Sequence, residues 1–77
     1  MKDVAFQKRF GQHLRDFRES RGLSIRQVEI NGEIDRAIIS KIETGSQTAT
    51  LVTLHKILKA MGTTESEFFA DFDSSDD

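Results

Sequence analysis

Residues 34–45 read IDRAIISKIETG, a short helix whose start and stop are both written into the chain. Asp35 stands at the N-cap position, where a carboxylate accepts from the free amides of the first turn. Gly45 stands where the backbone leaves a helix with positive φ. Ile39 and Ile42 share one face, and Arg36, Ala37, Ser40 and Lys41 share the other. The isoleucines anchor the helix from behind, and two cations, a small side chain and a hydroxyl are offered in front.

The rest of the chain is helical around it. Proline is absent, no strand-length run alternates, and apolar residues recur at intervals of three and four. Phe6, Phe10, Leu14 and Phe17 form one stripe on a first helix over about residues 3–20, stopped by Arg21-Gly22. Ser24 and Gln27 fit a capping box opening a second helix, about 24–31, with Ile25 and Val28 as its apolar residues. The quoted helix follows at about 35–44. Leu51, Leu54, Ile57, Leu58 and Met61 mark a fourth helix, about 50–61, and Thr64 with Glu67 forms a second capping box before a fifth, about 64–70. The expected architecture is one all-α, five-helix domain over 1–70 and an acidic flexible tail over 71–77.

Composition narrows the function. With 77 residues and no cysteine, the chain has room for one small core and no disulfide or thiolate metal site. No apolar run approaches the roughly 20 residues of a membrane span and no signal peptide opens the chain, so a cytoplasmic location without membrane contact is expected. The formal charge is −2, yet four aspartates lie in the last seven residues; residues 1–70 carry eleven cations against nine acids. A mildly basic body with an acidic tail is compatible with nucleic acid. His13 and His55 lie far apart with no second ligand at metal spacing, and no phosphate loop or nucleophile motif is present. No metal, cofactor, small-molecule ligand or catalytic activity is expected.

Only about three residues, 32–34, join the second and third helices. A link this short forces a steep crossing, the helix-turn-helix geometry, in which one helix stands across the phosphate backbone and the next lies in the major groove. The outward face of the quoted helix then has a use. Arg36 can donate twice to a guanine edge, Lys41 can reach a guanine or a phosphate, Ser40 can serve either, and Ala37 can touch a thymine methyl.

Leu14-Arg15 and Arg18, Gly22-Leu23-Ser24, the run Ile39-Ser40-Lys41-Ile42-Glu43-x-Gly45 and Lys59-Ala60-Met61-Gly62 occur in that order. In this order and spacing, from about Phe10 to Phe69, the chain resembles the Cro and phage-repressor type of helix-turn-helix, the xenobiotic-response-element family. The resemblance implies a lambda-repressor-like DNA-binding domain and a transcriptional regulator. It implies that Asp35, Arg36, Ala37, Ser40 and Lys41 face the groove, that Ser24, Ile25 and Arg26 open the second helix beside the backbone, and that Thr44, Ser46, Gln47 and Thr48 belong to a phosphate-holding loop. It also implies an ion pair between Arg18 and Glu43.

Three features, at four positions, depart from the family pattern. Glu29 stands where alanine is usual, the turn glycine comes one place early at Gly32 with Glu33 in its place, and Ile25 replaces a common glutamine. An unpaired glutamate at a helix–helix contact is costly, so a looser turn or a shorter second helix is expected, with modest non-specific affinity for DNA. A lone helix-turn-helix reads a half-site, so a homodimer on a short palindromic operator is expected, with Phe68, Phe69 and Phe72 as the candidate interface. The alternative is a protein-interaction module, such as an antitoxin whose acidic tail covers a basic partner.

Overall fold

The computed structural model describes residues 3–72 and contains five helices with no strand among them: α1 (Val4–Ser20), α2 (Ile25–Gly32), α3 (Arg36–Glu43), α4 (Leu51–Ala60) and α5 (Glu65–Ala70). Each starts one residue after a capping side chain. Asp3, Ser24, Asp35, Thr50 and Thr64 each accept from a first-turn amide, satisfying donors that have no partner within the helix. The box at Ser24 is complete: Gln27 N donates to Ser24 Oγ at 3.1 Å and Ser24 N to Gln27 Oε1 at 2.8 Å. The second expected box is half formed. Thr64 Oγ1 accepts from Glu67 N at 3.2 Å, but the Glu67 carboxylate accepts instead from the buried hydroxyl of Thr63 at 2.8 Å. That contact spares Thr63 an unpaired buried polar group.

The apolar stripes converge on one core, in which Leu14, Val28, Ile39, Ile42, Ile57, Leu58 and Phe68 are fully buried. Ile25, the replacement for a polar residue, is half-buried and packs against this core. α3 lies between α1 and α2, α2 also packs on α4, and α5 closes the end of α4. Phe68 fills the space between α1 and α5, with ring centroids 5.7 Å from Phe10, 5.4 Å from Phe17 and 4.5 Å from His13. Phe68 therefore cannot serve as an interface residue: it is core, fully buried between α5 and the α1 stripe. Phe72, counted in sequence with the tail, is half-buried against Phe6, Phe10 and His13. Residues 73–77, the rest of the expected tail, lie outside the described residues. His13 is a structural residue, its Nε2 donating to the Phe68 carbonyl at 2.6 Å.

Candidate nucleic-acid interface

The turn between α2 and α3 differs from the looser one expected. α2 runs its full length to Gly32, and Glu33 takes the left-handed conformation that ends it (φ 55°, ψ 44°). Its amide and that of Ile34 both return to the Glu29 carbonyl. Glycine is needed one place earlier for a different reason. A β-carbon at Gly32 would lie 3.0 Å from Ala60 Cβ and 3.3 Å from Ile34 Cδ1, so α2 packs on α4 closely enough that a side chain there would push its neighbours by a few tenths of an ångström. The two jobs a single turn glycine might do are divided between Gly32 and Glu33. Neither glutamate is trapped: Glu33 is exposed, and Glu29 Oε2 accepts from Arg36 N at 3.3 Å. α3 consequently starts under two carboxylates, Asp35 accepting from Ala37 N at 2.9 Å and Glu29 from the residue before it, both favourable at a positive helix end.

α3 is held from behind as its sequence requires. Ile39 and Ile42 are buried, whereas Arg36, Ala37, Ser40 and Lys41 are exposed together on the opposite face. Among the described residues neither Arg36 nor Lys41 forms an ion pair. Arg26 and Ser24 are exposed at the start of α2.

The far end of α3 is fixed by a buried ion pair. Arg18 Nε donates to Glu43 Oε2 at 2.8 Å and Nη2 to Oε1 at 3.0 Å, while Nη1 donates to the Leu23 carbonyl at 2.7 Å. Arg18 is 8% exposed and Glu43 6%. The hydrogen bonds that Arg18 donates to the Glu43 carboxylate are the leading cause that raises its pKa, so the guanidinium stays charged despite its burial. One side chain thus joins α1, the α1–α2 link and the end of α3.

Sequence reasoning missed a second tie at the same place. Gly11, in the middle of α1, faces the last carbonyls of α3: a β-carbon there would lie 2.3 Å from the Ile42 oxygen and 2.7 Å from the Glu43 oxygen. One turn earlier, Gln7 Nε2 donates to the Gly45 carbonyl at 2.9 Å. A glycine inside an otherwise helical pattern was the available signal. Beyond α3 the chain folds back on itself. The Lys41 carbonyl accepts from Ser46 N at 2.9 Å, Gln47 N at 3.2 Å, and the hydroxyls of Thr44 and Ser46, each at 3.2 Å. Thr44 and Ser46 therefore shape this loop, while Gln47 and Thr48 present exposed side chains from it.

The exposed face of α3, the start of α2 and the loop after α3 all present polar side chains to solvent. The residues described contain no His, Cys, Asp or Glu grouping able to hold a metal. No helix among them is long and apolar enough to cross a membrane.

A family model described as a helix-turn-helix domain matches residues 9–68. Control protein C.MunI from a Mycoplasma species is 38% identical over 66 residues, spanning 84% of this chain and 89% of that protein. Among solved structures, the restriction-modification controller protein C.AhdI from Aeromonas hydrophila is similar with a TM-score of 0.78 and 31% identity, over 84% of this chain and 98% of that one. The controller protein C.Esp1396I, solved as a tetramer with its natural 35 base-pair operator, shares the fold at a TM-score of 0.77 and 23% identity, over 83% of this chain and 84% of that one.

Proposed function

The chain belongs to the helix-turn-helix domain family, and on that premise we propose that it is a sequence-specific, DNA-binding transcriptional regulator. Two of the relatives above 30% identity are a control protein and a restriction-modification controller protein, and we assign this chain to the same type of regulator. The observation that carries the reading is the α3 face: Arg36, Ala37, Ser40 and Lys41 stand exposed and, among the described residues, without ion pairs on a helix clamped at both ends. α3 enters the major groove, with Arg36 as the principal base reader and Ser40 and Lys41 beside it. Ala37 permits the close approach, and Asp35 caps the helix at its edge. Arg26, Ser24, Gln47 and Thr48 meet phosphates and set register. Thr44 and Ser46 act mainly by holding the loop. Regulation works by occupation of the operator, and no catalytic step is assigned.

A helix of eight residues is about 12 Å long and spans only a few base pairs, so operator specificity requires two copies. Phe69 is 41% exposed beside Leu51, which is 74% exposed. Together with Phe6, Phe10 and Leu54 they border an apolar groove of about 460 Å³ between α1, α4 and α5. We place the dimer contact there, with Phe69 at its centre and Phe68 and Phe72 supporting it from beneath. The protein-partner alternative rested on Glu29, Glu33, the net charge of −2 and the acidic tail; the two glutamates lie in or beside the α2–α3 turn, where Glu29 caps α3.

The test is equilibrium binding to a selected operator. Arg36→Ala is expected to lose about 1–3 kcal/mol of discrimination at one base pair while keeping its binding to random duplex. Unchanged affinity and preference would overturn the assignment.

A further inference from the structure

We infer that Lys8, on α1 and outside the helix-turn-helix, is a phosphate contact of the same interface, so that the DNA-binding surface continues onto the first helix. This rests on the proposed DNA-binding function. Lys8, Gly11 and Arg18 lie along one face of α1, at helical spacing. Gly11 and Arg18 both touch the end of α3, so this face of α1 is turned toward the recognition helix and its loop. Lys8 continues that line onto Gly45. A β-carbon at Gly45 would lie 2.8 Å from Lys8 Cγ and 3.1 Å from Lys8 Cα; the lysine stem runs directly over the glycine. Gln7 Nε2, donating to the Gly45 carbonyl, pins the helix and loop at this point.

The aliphatic stem of Lys8 is thereby laid along the loop that carries Ser46, Gln47 and Thr48, and the residue is exposed. A lysine packed in this way keeps its ammonium group at the water-facing edge. That group makes no ion pair among the described residues. The loop supplies neutral donors only; Lys8 is the cation beside them, and a backbone phosphate seated on Gln47 and Thr48 is the anion that fits. Gly45 has a second role in this arrangement. Besides turning the chain (φ 82°), it leaves room for the lysine stem, which any side chain would displace.

The experiment measures affinity for a selected operator duplex as a function of salt, for wild type, Lys8→Gln, Lys8→Arg and Arg36→Ala. A phosphate contact contributes about 0.9 to the slope of log affinity against log salt. Lys8→Gln is expected to lower that slope by about 0.9 and affinity by about eightfold at 0.1 M salt, on matched and mismatched duplexes alike. Lys8→Arg is expected to retain both. If Lys8→Gln keeps the wild-type slope, the inference is overturned. A lowered melting temperature with that unchanged slope overturns it too, since Lys8 would then act only on the negative end of α3. If Arg36→Ala weakens binding while Lys8→Gln does not, the Lys8 assignment fails alone. If wild type binds no duplex, the regulator reading fails with it.

Discussion

Arg18 and Glu43 form a pair whose contribution depends on what replaces it. Both charges are almost fully buried, and their mutual hydrogen bonds compensate for lost hydration. Removing one partner strands the other: Arg18→Met or Glu43→Gln is expected to destabilise the domain by about 3–5 kcal/mol. The double variant Arg18→Met with Glu43→Leu is expected to recover most of that loss. Urea unfolding of the three variants checks both, and a double variant no better than the singles would contradict the argument. Gly11→Ala makes the complementary point. Alanine is the better helix former by about 1 kcal/mol, yet its methyl group would collide with two carbonyls of α3, and a net loss of about 1–3 kcal/mol is expected. A gain in stability would show that α1 and α3 can separate at no cost. The pair was expected because the family resemblance implies it; for the glycine contact the sequence offered only a glycine inside a helical pattern, and the packing of two backbones reveals what it meets.

At the scale of elements, the α2–α3 turn decides how α3 is presented. Glu33 holds a left-handed conformation that costs a side chain about 1–2 kcal/mol. Glu33→Gly is therefore expected to stabilise the fold by up to about 1 kcal/mol, measured by thermal unfolding, whereas Gly32→Ala is expected to destabilise it by crowding Ala60 and Ile34. The opposite order would mean that the two roles had been assigned the wrong way round. Helix positions were readable because each N-cap is spelled by a Ser, Thr or Asp; the turn was not, because its glycine serves packing rather than chain reversal. α5 carries a pH dependence. His55 Nδ1 donates to Glu65 Oε2 at 2.6 Å, and this bond is the leading cause that holds the Glu65 carboxyl below its ordinary value of 4.5. A lowered folded pKa gives stability that is present above the unfolded value and lost as pH falls through the folded one. His55→Ala is therefore expected to flatten the stability profile below about pH 4.5, as thermal unfolding across acid pH would show.

On the scale of the whole molecule, charge and shape set how the protein meets DNA. A body with eleven cations against nine acids over residues 1–70 releases few counterions, so binding away from the operator is expected to be weak and most of the affinity to come from base contacts. Two copies are needed to read enough base pairs, and the groove bordered by Leu51 and Phe69 is the apolar surface assigned to that contact. Leu51→Glu with Phe69→Glu is expected to leave a folded monomer by sedimentation, with sharply weaker operator binding. A variant that remains dimeric would move the interface elsewhere. The aromatic cluster was visible in sequence, but which ring faced outward depended on α5 docking against α1, a tertiary contact that no local spacing encodes. The most direct test is selection of bound duplexes from a random DNA library by the wild-type protein at near-physiological salt. The account predicts an enriched palindrome whose half-sites lie about ten base pairs apart and whose guanine preference is lost in Arg36→Ala. Binding that is weak, salt-sensitive and without sequence preference would contradict it.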